Sequence, residues 1–121
     1  MANILLAEDD QSMRDFLTLA LSKAGHEVTA RENGLEALEE LERNQSYDLL
    51  LTDIVMPGMD GIELSQRATS AHPNLKVMFI TGFAAVAMGN KDIQKHDAKV
   101  LSKPFHLKDL VGQVNSLLDA A

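Results

Sequence analysis

Cysteine is absent from this 121-residue chain, which removes disulfides and thiolate metal sites. Basic charge is scarce: 11 Lys and Arg stand against 18 Asp and Glu, a net charge of −7. A nucleic-acid surface needs clustered Lys and Arg facing phosphates, so nucleic acid is not expected as a partner, whereas an acidic surface meeting a basic protein remains open. No apolar run approaches the roughly 18 residues of a membrane span, so no membrane insertion is expected. The N-terminus lacks the basic and apolar regions of a signal peptide. Repeats, linkers and low-complexity tracts are lacking as well. The expectation is a soluble cytoplasmic protein in which residues 1–121 form one domain. A hydrophobic content of 45% supports one core and leaves little for a second.

What the chain does contain is a series of short apolar runs: Ile4–Ala7, Leu49–Thr52, Val77–Thr81 and Val100–Leu101. The first three are nearly continuous rather than alternating, the pattern of parallel strands covered on both faces. A weaker strand is expected at Glu27–Ala30. Between them lie helical patterns. Met13, Phe16, Leu17, Ala20, Leu21 and Ala24 share a helical spacing, with Asp10 or Ser12 as N-cap and Gly25 as stop. A second helix is predicted from about Gly34 to Asn44, burying Leu35, Leu38 and Leu41. A third runs from about Gly61 to Ala71, and a last one from about Leu107 buries Leu110, Val111, Val114, Leu117 and Leu118. Over Phe83–Asp97, Gly89-Asn90 interrupts an alanine-rich stretch, since glycine costs about 1 kcal/mol inside a helix; a short or irregular fourth helix is expected. Alternating strands and helices imply an α/β sandwich with a doubly wound sheet.

The acids are placed by these strands. Glu8 and Asp9 follow the first run, Asp53 follows the third strand, and Thr81 and Lys103 end the last two. In an open α/β sheet the carboxyl ends of the strands form the ligand-binding edge. Asp53 enters the Pro/Gly turn Met56-Pro57-Gly58-Met59-Asp60-Gly61; alone, it would more often be satisfying turn amides. With Glu8 and Asp9 beside it, the carboxylates cannot all ionise cheaply, and without a cation at least one pKa rises. A hard ion such as Mg²⁺ removes that repulsion with oxygen ligands. Asp10 is assigned to helix capping instead. Thr81 alone would be an ordinary strand residue and Lys103 a surface charge; facing three acids, Lys103 reads as their counter-ion. His26, His72, His96 and His106 are dispersed without metal-ligand spacing and are expected at the surface or in turns. The six Met residues are expected to fill the core.

The ordered set resembles a response-regulator receiver domain: the acid pair after strand one, Asp53 before Met-Pro-Gly-Met-Asp-Gly, Thr81 after strand four and Lys103-Pro104-Phe105 after strand five. The resemblance implies a flavodoxin-like five-stranded parallel sheet of order 2-1-3-4-5. It implies that Asp53 is the phosphoacceptor, that Asp9, Asp53 and the Val55 backbone carbonyl hold Mg²⁺, and that Glu8 acts through water. Thr81 would contact the phosphoryl group and Lys103 would pair with it, after a cis Lys103–Pro104 bond. Such a domain is not an enzyme beyond Mg²⁺-dependent self-phosphorylation and self-dephosphorylation. Its phosphodonor would be a histidine kinase or histidine phosphotransferase, docking near Arg14, Asp15 and Thr18. Many receivers carry an aromatic residue three positions before the lysine; here that residue is Val100, so switching is expected through order and disorder of Phe83–Asp97. Phe83 reads equally as a partner contact or as core.

A narrower resemblance rests on Ile4–Asp10, Leu49–Pro57, Met78–Ala87 and Asp97–Leu107. These segments look like the CpdR-type single-domain receivers of alphaproteobacteria. That resemblance implies a bacterial receiver without an output domain, recruited to a cell pole, whose unphosphorylated form promotes ClpXP proteolysis through ClpX. The alternative is a phosphate sink or a receiver for another protein. Ala120-Ala121 resembles a tail that such proteases read, and equally an ordinary frayed helix end. A different class, the haloacid-dehalogenase-type phosphatases, also uses an Asp nucleophile, but wants an acid where Val55 stands. A P-loop enzyme lacks its Gly-Lys loop.

Overall fold

The structure, a computed structural model, describes residues 2–44, 46–82, 99–103 and 105–119. Five strands appear in it: β1 (Asn3–Ala7), β2 (Glu27–Arg31), β3 (Leu49–Asp53), β4 (Lys76–Thr81) and β5 (Lys99–Ser102). Helices α1 (Gln11–Lys23), α2 (Gly34–Arg43), α3 (Gly61–Ala71) and α4 (Leu107–Asp119) complete the described elements. The expected fourth helix, Phe83 and Ala120-Ala121 lie outside the described residues, as does Pro104 of the expected cis bond.

All strand pairs are parallel, in the order β2-β1-β3-β4-β5, as expected. Because side chains alternate along each strand, the sheet feeds two apolar layers. Leu5, Leu50, Val77 and Phe79 pack with Ala37 and Leu41 of α2 and Leu64 and Ala68 of α3. Ile4, Leu6, Leu49, Leu51, Met78 and Ile80 pack with Leu17 and Leu21 of α1 and Leu110 and Val114 of α4. Continuous apolar runs are therefore required, since both faces are covered. Met56 and Met78 sit in these layers as core filler.

The helix boundaries follow local chemistry. Asp10 is the cap of α1, its side chain accepting from the Met13 amide at 3.1 Å, and the helix gives way at Gly25, where φ is +97°. Asn33 caps α2 and Asp60 caps α3, each accepting the amide three residues on at 2.8 Å.

Expected core residues of two helices are instead at the surface. Leu35 is 58% exposed and Phe16 45% exposed. In α2 the buried stripe is centred on Gly34, Ala37 and Leu41, and at about 100° per residue Leu35 stands roughly a third of a turn away from it. Leu38 is only half-buried. Glu40 takes a buried place on this helix because the Tyr47 hydroxyl (2.6 Å) and Arg31 (3.2 Å) bond its carboxylate, which holds it below the usual carboxylate range, the Tyr47 bond contributing most. In α1 the buried residues are Leu17, Ala20 and Leu21; Phe16 lies at the edge of that stripe and Ala24 is exposed. In α4 only Leu110 and Val114 are buried, with Val111, Leu117 and Leu118 half-buried.

Candidate functional site

The chain order of the sheet reverses at β1, which lies between β2 and β3. At such a switch point the crevice beyond the strand ends is left open between divergent connections. Ala7 pairs with Thr52, so one residue further Glu8 comes opposite Asp53. Asp53 in turn pairs with Ile80, and Thr81 with Ser102. Register alone thus brings the ends of β1, β3, β4 and β5 to one edge.

Three of the expected acids converge there. Glu8, Asp9 and Asp53 each offer a carboxylate oxygen within 4.8 Å of the others, with Glu8 and Asp53 buried and Asp9 exposed. Lys103 reaches both buried acids: Nζ is 2.9 Å from Asp53 Oδ2 and 3.1 Å from Glu8 Oε1. The Lys103 amide donates to the Thr81 carbonyl at 2.8 Å, which ties the end of β5 to the end of β4. Thr81 is fully buried, whereas the Val55 side chain is 56% exposed on the turn after β3.

The electrostatics follow from this packing. Glu8 is pushed up to about 7, first by burial and then by the neighbouring Asp53 charge, against the opposing bonds from the Asp10 amide and Lys103. A raised carboxyl was expected from mutual repulsion; desolvation turns out to be the larger cause. Burial works against the charge of Lys103, but the hydrogen bonds to Asp53 and Glu8 outweigh it and raise its pKa. The donor set is all oxygen, crowded and anionic, with one exposed member open to solvent; that fits a hard divalent cation better than a soft one.

Two contributors were not singled out from sequence. The family resemblance implies only a docking face for Arg14; in the structure its Nη1 donates to the Glu8 carbonyl at 2.8 Å, pinning the loop that carries both acids. Thr18 donates to the Arg14 carbonyl at 2.7 Å; the exposed residues of this part of α1 are Asp15, Phe16 and Leu19. Gly61 is the other. Its amide donates to the Ile54 carbonyl at 2.8 Å, and a Cβ there would overlap the Asp53 carbonyl oxygen. Only glycine admits that approach, and the Asp60-Gly61 pair closing the turn was the available signal. Of the described histidines, His106 is exposed, and His26 and His72 are half-buried away from the acids; His26 Nε2 lies 2.9 Å from Asn115 Oδ1.

Comparison with known proteins agrees with this geometry. The response regulator receiver domain model matches residues 4–115. The chain is 60% identical over 121 residues to the response regulator receiver protein CpdR of Brucella abortus (strain 2308), covering all of both chains. It is 34% identical to the DNA-binding transcriptional regulator NtrC of Azospirillum brasilense, across 98% of this chain but only 24% of that longer protein. Among solved structures, it resembles response regulator protein TrrA of Thermotoga maritima, determined in complex with Mg²⁺-BeF, with a TM-score of 0.87 and 28% identity over 97% of this chain and 99% of that one. Receivers are signalling domains that take phosphoryl groups from histidine kinases or phosphotransferases and bind Mg²⁺ in an acidic pocket. With the fold, the acidic edge and a family model spanning most of its length, the chain belongs to the response regulator receiver domain family.

Proposed function

We propose that this chain is a response regulator phosphorylated on Asp53, working in the bacterial cytoplasm. The observation that carries this reading is the Asp53 carboxylate held at the end of β3 with Lys103 Nζ at 2.9 Å and two further acids within 4.8 Å. Asp9, Asp53 and the Val55 carbonyl would hold Mg²⁺, with Glu8 acting through water. Bound there, the ion would offset charge on the phosphoryl oxygens.

Asp53 is the nucleophile. One carboxylate oxygen attacks the phosphorus of a phosphohistidine on the donor protein. The P–N bond breaks, the imidazole leaves, and an acyl phosphate remains. Lys103 exchanges its bond to Asp53 for one to a phosphoryl oxygen, so its charge is prepositioned rather than reorganised. Thr81, on the adjacent strand, supplies a hydroxyl to another phosphoryl oxygen. Hydrolysis returns the carboxylate: water adds at phosphorus and the P–O bond to Asp53 breaks. The acyl phosphate carries roughly −1.5 to −2 charge where the free carboxylate carried a single negative charge, and it brings three new acceptor oxygens, which biases the surrounding loops between two arrangements.

For output, the reading follows the full-length likeness to CpdR and what that resemblance implies: the unphosphorylated form promotes ClpXP proteolysis by contacting ClpX, and phosphorylation releases it. Beryllofluoride with Mg²⁺, a mimic of the phosphoryl group, tests both levels. It should bind the wild-type chain and not Asp53→Asn, and binding to the ClpX N-terminal region should weaken when it is added. No ClpX binding in either state would sink the adaptor role and leave a phosphate sink or another protein partner. Failure of beryllofluoride to perturb the site would sink the phosphoacceptor assignment itself.

A further inference from the structure

Beside the acidic site runs a second feature, which shares only Asp9 with the phosphoryl chemistry. A groove of about 770 Å³ opens next to Asp9, lined by Glu32 and Leu35 at the start of α2 and by Pro57, Met59 and Glu63 from the β3–α3 connection and α3. We propose that this groove docks a segment of a protein partner that carries basic residues around one apolar side chain.

The lining has the two halves of that recognition. Leu35 is 58% exposed and Met59 half-buried, an aliphatic seat for one apolar anchor; a flexible thioether adapts to different shapes. Around it the charge has a single sign: among the described residues, Asp9, Glu32 and Glu63 line the groove and no Lys or Arg does. Among the described residues, Asp9 and Glu32 have no ion-pair partner, and Glu63 meets Arg67 at 2.9 Å. A basic segment would therefore find the uncompensated Glu32 carboxylate and a share of Glu63, with Asp9 at the end the groove has in common with the cation site, on a chain of net charge −7. Such complementarity selects partners and steers encounter.

The groove is preformed. Asn33 accepts from the Glu36 amide and donates to Glu36 Oε2, both at 2.8 Å, fixing one wall. Asp60 accepts from the Glu63 amide at 2.8 Å, fixing the other. The walls meet backbone to backbone, since a Cβ on Gly34 would stand 2.7 Å from the Met59 carbonyl oxygen. A rigid site loses little ordering entropy on binding. Leu35, Pro57 and Gly58 are all exposed, so the trough is open, whereas small ligands are held in sites that bury most of their surface. A second copy of this chain would bring the same acidic rim and another −7, which disfavours self-association here.

Isotope-edited NMR of the full chain tests this. The probe is a synthetic amphipathic peptide of Lys, Arg and Leu, with a control in which Glu replaces every basic residue. Saturable shifts confined to residues 32–35 and 57–63, weakened about tenfold or more by Leu35→Asp and by Glu32→Lys, would support the proposal. Both substituted side chains are exposed, and the Asp53 response to beryllofluoride should persist in each variant. That response reads the phosphoacceptor assignment separately in the same spectra. Shifts centred elsewhere, equal binding by either variant, equal binding of the Glu control, or self-association through this face would each overturn the groove assignment.

Discussion

Glu8 is held by Lys103 and the Asp10 amide, is 1% exposed, and still has its pKa pushed from 4.5 to about 7. The sign of the consequence is fixed by linkage. A carboxyl whose pKa rises on folding favours the native state while protonated, so its contribution is complete below about 4.5 and is lost as pH rises through about 7. Metal-free protein should therefore lose up to about 3 kcal/mol on this account between mildly acidic and mildly alkaline pH. Urea denaturation across that window should show the slope in the wild type and a flatter one in Glu8→Gln; equal slopes would remove Glu8 as the cause. Conversely, Mg²⁺ affinity by calorimetry should tighten as pH rises through the same range, because an acid that must ionise competes with its proton.

Among the elements, the β3–α3 connection bears the strictest constraint. Its Asp53 end is buried in the sheet and its Gly61 end begins a helix, and the Gly61 amide closes the loop onto the Ile54 carbonyl at 2.8 Å. Gly61→Ala places a methyl group against the Asp53 carbonyl. It should cost on the order of 3 kcal/mol, as backbone overlap in a packed site does, and should weaken beryllofluoride binding beyond the loss of folded protein, since the loop carries Val55. Asp60→Ala removes only the α3 cap bond and should cost about 1 kcal/mol with little change at Asp53. Chemical denaturation of both, with beryllofluoride titration of the folded fraction, checks the contrast; similar behaviour of the two would sink it.

At the scale of the whole molecule, three carboxylates share one edge of a sheet whose three central strands, β1, β3 and β4, are otherwise largely apolar and buried. Their only described cation is Lys103, so folding concentrates negative charge that the unfolded chain spreads out. A divalent ion that binds the native edge alone should stabilise the fold by mass action, about 1.4 kcal/mol at ten times its dissociation constant. For a domain of this size that is a Tm rise of roughly 4–8 °C. Differential scanning calorimetry with MgCl₂, against NaCl at matched ionic strength, measures it; Asp9→Asn should lose most of the rise, and an equal rise with NaCl would show screening alone.

Sequence alone determined the strands, their parallel arrangement and the limits of α1, because these rest on local patterns: continuous apolar runs for strands covered on both faces, and Asp10, with Ser12 as the alternative, and Gly25 at the ends of α1; the Asn33 and Asp60 caps came only with the structure. It also singled out Glu8, Asp9, Asp53, Thr81 and Lys103, since each stands at or just beyond a strand end. Tertiary structure decided which of their atoms meet, because the distances depend on β1 lying against β3 and on the path of β5. The Glu8 shift likewise belongs to the fold, desolvation being a property of what surrounds a group rather than of its neighbours in sequence. Leu35 illustrates the same division. A helical period identifies apolar residues, but the angle at which α2 docks selects its buried stripe, and that angle leaves Leu35 in the acidic groove rather than in the core.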